Sequence, residues 1–359
     1  MEYINLFGGK TIAFDDLNKS KKKGIYRTSF YDSADPDKKG KPKLKYNYFY
    51  ADSDAPISIA DQERINKLGL APAYTDVWIS IDPKSKIQAT GFDAKGRKQY
   101  RYHPAHILNS TEEKFLRLYK FIKSIPILEE KIEQDKLLTL YSKNRTIALM
   151  LQIIKELNIR VGKECYAQTN KSYGVTSLKK SHVSIYDDHI KFNFKGKSNK
   201  HVSYTIKNEY IISEIKQLFN LTGEKLFQYI TDTNSILRVS DIDLNQYLQN
   251  YMGSEFTCKD FRTYAANFYF IKSLLTETKK RSPKNAKTIK QNLNAAQENT
   301  AFYLRHTKAI SKKSYTMTLI RDMYIDNPQW FIDNKNRQPN NILIDILKIF
   351  KEKIKKNKS

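Results

Sequence analysis

The hydrophobic period changes near residue 108 of this chain, and that change calls for two differently built parts. From Met1 to about His106, aromatic and β-branched residues are broken by turn signals, as in KPKLKYNYFYADSDAP, TDVWISIDPKSK and KIQATGFDAKGRKQYRYH. Such alternation suits strands, in which successive side chains face opposite sides. After Ser110 the apolar residues recur at three- and four-residue spacing, and Ile147, Met150, Leu151, Ile154 and Leu157 form a single stripe. The expected fold class is α+β. A small β-rich N-terminal domain spans residues 1–108, and a larger, mainly helical domain with a small three-stranded sheet spans 109–359.

Local signals refine this outline. TEEKFLRLYKFIKSI opens with a Thr-x-x-Glu-like cap, Thr111 followed directly by two glutamates, and Gly162 in NIRVGK is expected to stop the striped helix. Arg160 then lies at the end of a buried helix. VSIYDDHIKFNFKGKSNKHVSYTI, from Val183 to Ile206, predicts three short strands with turns at YDDH and KGKSNK, the second holding Lys197. Further helices are expected from Glu209 to Phe219, from Asp243, and at KDFRTYAANFYFIKSLL, where Thr257 and Asp260 form a capping-box start. Lys259 and Arg262 share one face of that helix. KKRSPKNAK is a basic linker before a helix with Ala286, Ile289, Leu293 and Ala296 on its apolar side. KIFKEKIKKNKS reads as a basic helix fraying into a solvated tail, and the acidic stretches YDSADPD and ADSDAP read as solvated turns.

Charge narrows the choice of partner. Lys and Arg number 63 against 38 Asp and Glu, a formal net charge of +25, while 40% hydrophobic residues argue for a folded chain. A polyanion is expected, and lysines spread through the whole chain fit nucleic acid better than a membrane surface. No apolar run approaches the eighteen or so residues of a spanning helix, and MEYINLFGGKTIAFDD lacks a secretory pattern. A soluble, intracellular protein is expected. Cys165 and Cys258 form no CxxC pair; they read as small buried thiols, with no metal site and no cofactor.

The segment LRHTKAISKKSY sets Tyr315 nine residues after His306 among basic and hydroxyl side chains. Alone it is an ordinary basic helix end or loop. If the Tyr315 phenol attacks a DNA phosphodiester, the non-bridging oxygens need charge stabilisation and the departing sugar oxygen needs a proton. Arg160 and Arg262 suit a bidentate clamp, His306 a further hydrogen bond, and Lys197 on its hairpin turn a general acid. The phenol, weak at a pKa of about 10, also needs nearby cations to favour phenolate character. A phosphotyrosyl link conserves bond energy, so rejoining needs neither ATP nor a metal ion, in keeping with a chain that carries no P-loop.

Five segments in order, GRKQYRYH, IRVGK, FKGK, KDFRTYAANF and LRHTKAISKKSY, make the chain resemble the short-form, poxvirus-type type IB DNA topoisomerases of large DNA viruses and some bacteria. The resemblance covers nearly the whole chain. It implies a C-shaped clamp around duplex DNA, a catalytic domain of the tyrosine recombinase and topoisomerase IB kind, and a monomer. It also implies relaxation of positive and negative supercoils by strand swivelling. Tyr315 is then the nucleophile, Arg160 and Arg262 the catalytic arginines, Lys197 the general acid, and His306 the group that holds the scissile phosphate. Lys259 and Asn267 match secondary active-site positions, and Gln99, Tyr100 and Tyr102 match major-groove contacts. The location implied is virion or host cytoplasm for a viral chain, and cytoplasm or nucleoid for a bacterial one.

Three departures from the family pattern bear on base preference: a longer N-terminal module, Arg101 between the two tyrosines, and Ser198 after Lys197. Each residue also has a plain structural reading. Lys197 is one solvated lysine among several, Arg160 a helix-end contact, Arg262 a surface pair with Asp260, Tyr315 a half-buried aromatic, and the Gln99–Tyr102 strand a bare surface. His103, His106, His182, His189 and His201 receive no role. Two rival functions remain open at this point, a tyrosine recombinase, which shares the Arg, Lys, Arg, His, Tyr set, and a non-catalytic basic DNA-binding protein.

Overall fold

The computed structural model describes residues 3–6, 10–13, 23–36, 42–53 and 55–358. The chain divides into two compact units, residues 1–111 and 112–359. In the first, strands β1 (Tyr3–Leu6) and β2 (Lys10–Ala13) pair as a hairpin. Strands β3 (Ile25–Pro36) and β4 (Pro42–Tyr50) precede helix α1 (Ile59–Lys67), and β5 (Thr75–Ile79), β6 (Ile87–Phe92) and β7 (Lys98–Tyr102) follow it. These strands form one antiparallel sheet in the order β4-β3-β5-β6-β7. Ile25, Val77, Ile79 and Ala89 from the sheet bury Ile65 of α1. The Ser58 hydroxyl accepts from the Asp61 N–H and caps that helix.

The acidic stretch YDSADPD is strand rather than turn through Pro36, and Asp37 lies outside the described residues, as does Asp54 of ADSDAP. Beyond Tyr26, β3 pairs only with β4, so this end is a two-stranded ribbon. A proline is tolerated at such an edge. Lys45 on β4 ion-pairs with Asp32 at 2.7 Å and Asp35 at 3.0 Å, which explains why an acidic segment accepts strand pairing.

Helix α2 (Pro104–Asp135) begins seven residues before the expected Thr111 cap. Proline at the first helical position needs no N–H partner, and the Thr111 hydroxyl instead donates to the Ile107 carbonyl at 2.8 Å inside the helix. Helix α3 (Lys143–Leu157) buries Ile147, Met150, Leu151 and Ile154 as its stripe requires. It ends at Asn158, a left-handed cap with φ 53°, and not at Gly162. Gly162 serves a close backbone approach. The chain from Arg160 to Gly162 lies against Gly174–Thr176, with the Val175 N–H on the Arg160 carbonyl at 2.9 Å. A Cβ on Gly174 would sit 2.5 Å from that carbonyl, and one on Gly162, at φ +85°, would sit 2.8 Å from the Gly174 Cα.

After helix α4 (Glu164–Asn170), strands β8 (Val183–Ile185), β9 (Ile190–Lys195) and β10 (His201–Ile206) form the small antiparallel sheet. Helix α5 (Glu209–Leu218) is followed by a hairpin of β11 (Gln228–Ile230) and β12 (Ile236–Arg238), then by α6 (Asp241–Met252). Helix α6 begins two residues before the expected Asp243 because Ser240 caps it. Helix α7 (Cys258–Lys280) starts with the Thr257–Asp260 capping box. It is shared between two cores: Cys258 and Phe261 pack with α3, α5 and the small sheet, and Phe270, Ile271, Leu274 and Leu275 pack with the C-terminal helices.

Helix α7 leads to α8 (Ala286–Tyr303), α9 (Thr318–Asp326), α10 (Pro328–Asp333) and α11 (Pro339–Lys358). Ile289 and Leu293 of α8 are half-buried and Ala296 is buried, but Ala286 is exposed, and polar Asn292, Gln297 and Thr300 are buried in its place. Helix α11 does not fray within KIFKEKIKKNKS: it runs to Lys358 with Phe350 and Ile354 packed, and Ser359 lies outside the described residues. Cys258 is buried, but Cys165 is exposed on α4, contrary to expectation. Among the described residues no helix is long and apolar enough to cross a membrane.

The Gly162–Gly174 crossing yields a prediction. Gly174→Ala forces two backbone segments apart and is expected to cost roughly 2 kcal/mol or more, read as a lower denaturation midpoint with an unchanged slope. A wild-type midpoint would contradict the close approach.

Candidate active site

Asn158 turns the chain out of α3 and delivers Arg160, half-exposed, two residues later. Arg262, in the second turn of α7, is only 4% exposed. Its guanidinium donates to the Leu304 carbonyl at 2.8 Å and to the Asn158 carbonyl, and Nε has no partner among the described residues. No carboxylate pairs with it there. Asp260, the expected surface partner, binds Arg117 at 3.2 Å and the Thr257 cap. A buried cation that meets neutral carbonyls and a phenol but no carboxylate keeps its charge available to an incoming anion.

Tyr315 ends a π-helical turn, Ser311–Tyr315, closed by the Thr316 N–H on the Ser311 carbonyl at 3.0 Å. Such turns are rare and recur at functional sites. Asn267, fully buried on α7, grips the backbone on both sides of Thr316: its Nδ2 donates to the Tyr315 carbonyl at 3.1 Å, and its Oδ1 accepts the Met317 N–H at 2.8 Å. Gln297 of α8 donates to the Ser311 hydroxyl at 2.7 Å and accepts from the Thr316 hydroxyl at 3.4 Å. Lys114 of α2 donates to the Ser314 carbonyl at 3.2 Å. The backbone of the nucleophile candidate is thus held by side chains from three helices, α2, α7 and α8.

Around the phenol, His306 stacks on the Tyr315 ring at 5.1 Å and 17°, and the Arg262 guanidinium carbon lies 5.7 Å from the ring centroid. Burial alone would raise the Tyr315 pKa, but Arg262, Arg160 and Lys197 outweigh it and hold the phenol below its usual value. Tyr204 on β10 feels Arg262, Arg160 and Arg305, yet its deeper burial wins and its phenol is raised. Of the two phenols, Tyr315 is the one readied for ionisation. Burial, aided by the charges of Arg262 and Arg160, pushes the His306 imidazole down to about 4. Both ring nitrogens of His306 are buried and without partners among the described residues.

The arrangement offers an ionisable oxygen, two guanidinium groups and a neutral imidazole donor, a set suited to in-line displacement at phosphorus. Lys197 is exposed in the turn between β9 and β10, where Ser198 takes φ 64° and Asn199 φ 59°. Tyr315, Arg160, Arg262, His306 and Lys197 are therefore electrostatic neighbours, all in the second unit. Lys259 is exposed at the start of α7 while Arg262 is buried, so their helix spacing does not give them one environment. With Arg117 it adds charge around Lys114, whose pKa falls to about 8, burial being the main cause.

In the first unit, Tyr100 and Tyr102 are exposed on edge strand β7 and stack at 6.0 Å. Gln99 lies on the opposite face, its amide donating to Asp93 at 2.9 Å, and Arg101 donates to the Gly69 carbonyl. The three expected groove residues do not share a face. Sequence reasoning missed Tyr204, Lys114, Arg305 and the Gln297–Ser311–Thr316 network. Only the polar residues set into the expected apolar side of α8 signalled any of these. Among the described residues, no three His, Cys, Asp or Glu side chains gather as metal ligands.

A family profile described as the catalytic core of eukaryotic DNA topoisomerase I matches residues 95–336, and one for the N-terminal domain of bacterial DNA topoisomerase IB matches residues 45–93. DNA topoisomerase 1B of Acanthamoeba polyphaga mimivirus is 52% identical over 314 residues, 86% of this chain and 94% of the relative. DNA topoisomerase I of Monkeypox virus is 27% identical over 70% of this chain and 76% of its own. Among solved structures, a XerH site-specific recombinase with its palindromic difH substrate overlays at a TM-score of 0.33 and 17% identity, covering 67% of this chain and 59% of that one.

The lowered imidazole pKa has a measurable sign. An unfolded histidine takes its proton near 6.5, His306 in the folded chain near 4, so its contribution to stability is complete above about 6.5 and is lost as pH falls through 4. NMR titration is expected to find the ring neutral across pH 5 to 9. An inflection near 6.5 that disappears in His306→Gln would contradict the burial described.

Proposed function

The chain belongs to the type IB DNA topoisomerases, and from that premise we propose that it relaxes positive and negative supercoils through a transient 3'-phosphotyrosyl bond to Tyr315. One observation carries the reading: the Tyr315 phenol stands against a buried, carboxylate-free Arg262 and an imidazole with two unpartnered nitrogens. Duplex DNA is the substrate.

In the proposed step the Tyr315 oxygen loses its proton to water and attacks the phosphorus, and the bond to the 5'-oxygen of the next nucleotide breaks. Arg160 and Arg262 hold the non-bridging oxygens, and neutral His306 donates one more hydrogen bond to them. Lys197 gives its proton to the leaving 5'-oxygen. The freed 5' end swivels about the intact strand, then attacks the phosphotyrosine while the phenol departs. Neither ATP nor a metal ion is required, because the link to tyrosine retains the bond energy and the positive charge comes from side chains. Asn267 acts here by fixing the Tyr315 backbone, and Lys259 by adding charge beside Lys114. Tyr100 and Tyr102 contact the major groove from one face of their strand; Gln99, on the opposite face, would reach it only by releasing Asp93.

The protein acts as a monomer on a single duplex, with no membrane partner. It is soluble and intracellular, in virion or host cytoplasm if its source resembles that of its viral relatives, and in cytoplasm or nucleoid if bacterial.

Plasmids of either supercoil sign, incubated in EDTA without ATP, are expected to be relaxed by the wild type and left supercoiled, though bound, by Tyr315→Phe. Bound but unrelaxed DNA with the wild type would refute the proposal. Lys197→Ala is expected to slow cleavage by roughly 10²–10⁴-fold on ordinary DNA and to recover most of that rate on a 5'-phosphorothiolate, whose thiolate leaves without a proton. Equal slowing on both substrates would remove Lys197 as the acid.

A further inference from the structure

Eight residues other than glycine take positive φ among the described residues, and four of them, Asp76, Asn158, Asn199 and Asn234, are types that tolerate it. Of the rest, Lys171 caps helix α4, and Tyr141 packs against the main core with its hydroxyl on the Gln217 carbonyl. Ser198 and Arg305 directly follow Lys197 and directly precede His306. Backbone strain retained at functional sites is a known pattern, and Arg305, at φ 52°, is the bulkier of the two.

The Arg305 side chain has no structural task that accounts for it. It is exposed and forms no ion pair among the described residues, unlike Lys308 nearby, which binds Glu298 at 2.8 Å. Its guanidinium carbon lies 5.0 Å from the Phe302 ring centroid and 5.6 Å from that of Tyr204. Arg305 directly precedes His306 in the chain, and the Arg160 and Arg262 charges act on the same Tyr204 phenol that it faces. Two aromatic faces therefore hold an unneutralised cation beside the candidate site. Restricting that long side chain in advance lowers the entropy lost on gripping an anion.

We propose that Arg305 is a further DNA phosphate-binding residue, gripping a backbone phosphate that neighbours the one held by Arg160, Arg262 and His306. This rests on the DNA-cleaving reading above. The strain is kept because the residue that would relieve it, glycine, would also remove the charge.

The test combines a strain-relieving and a charge-keeping variant. Arg305→Gly is expected to melt at or above the wild-type temperature. Its plot of log affinity against log salt for a duplex should be shallower by about one, with affinity near 0.1 M salt weaker by roughly tenfold. Arg305→Lys should keep the wild-type slope. An unchanged slope in Arg305→Gly overturns the proposal, and lower melting with that unchanged slope assigns Arg305 to packing instead. Wild-type covalent adduct formed in the same experiment keeps these outcomes separate from failure of the parent reading; its absence overturns both.

Discussion

A buried guanidinium with no carboxylate partner fixes the catalytic unit. Arg262 reaches the Asn158 carbonyl that ends α3, the Leu304 carbonyl that ends α8, and the ring of Tyr315. Three segments far apart in sequence thus meet at one charge. Two neutral carbonyls fix its orientation while leaving the charge uncancelled. A unit charge about 6 Å away at an effective dielectric near 20 is worth about 3 kcal/mol, enough to decide whether a half-buried phenol is raised or lowered. For Tyr315 it is lowered, and for the more deeply buried Tyr204 it is raised.

Rigidity at the tyrosine comes from hydrogen bonds to its backbone, added to packing of its side chain against Ala265, Ala266 and Leu304. The π turn leaves backbone groups that a regular helix would pair internally, and Asn267, Gln297, Thr316 and Lys114 take up contacts there. Buried polar networks of this kind stabilise one arrangement strongly when complete and penalise alternatives that leave a group unpaired. The two cores meeting along α7 hold Asn267 and Arg262 on the same helix, so the residue that fixes the nucleophile's backbone and the residue that tunes its charge move together.

Much of the fold was legible because the period of hydrophobicity is a direct imprint of burial. The small sheet, the Lys197 turn, the α3 stripe and the α7 cap follow from it. Errors arose where one residue type has two uses. Gly162 read as a helix stop although Asn158 supplies the left-handed cap, and the glycine is needed where two backbones touch. YDSADPD read as turn because its lysine partners lie on another strand. The site was legible mainly through family resemblance. No spacing rule links Arg160 to Arg262, and burial of Asn267 and Gln297 runs against their polarity.

The most direct measurement of the central claim is to locate the covalent bond itself. Wild-type protein would be trapped on a nicked duplex whose short downstream fragment, bearing the freed 5'-hydroxyl, is lost on cleavage, and the adduct digested and sequenced by mass spectrometry. The account predicts a peptide carrying a 3'-linked nucleotide on Tyr315. Attachment at any other side chain, or DNA cleavage with no protein-linked nucleotide, would contradict it.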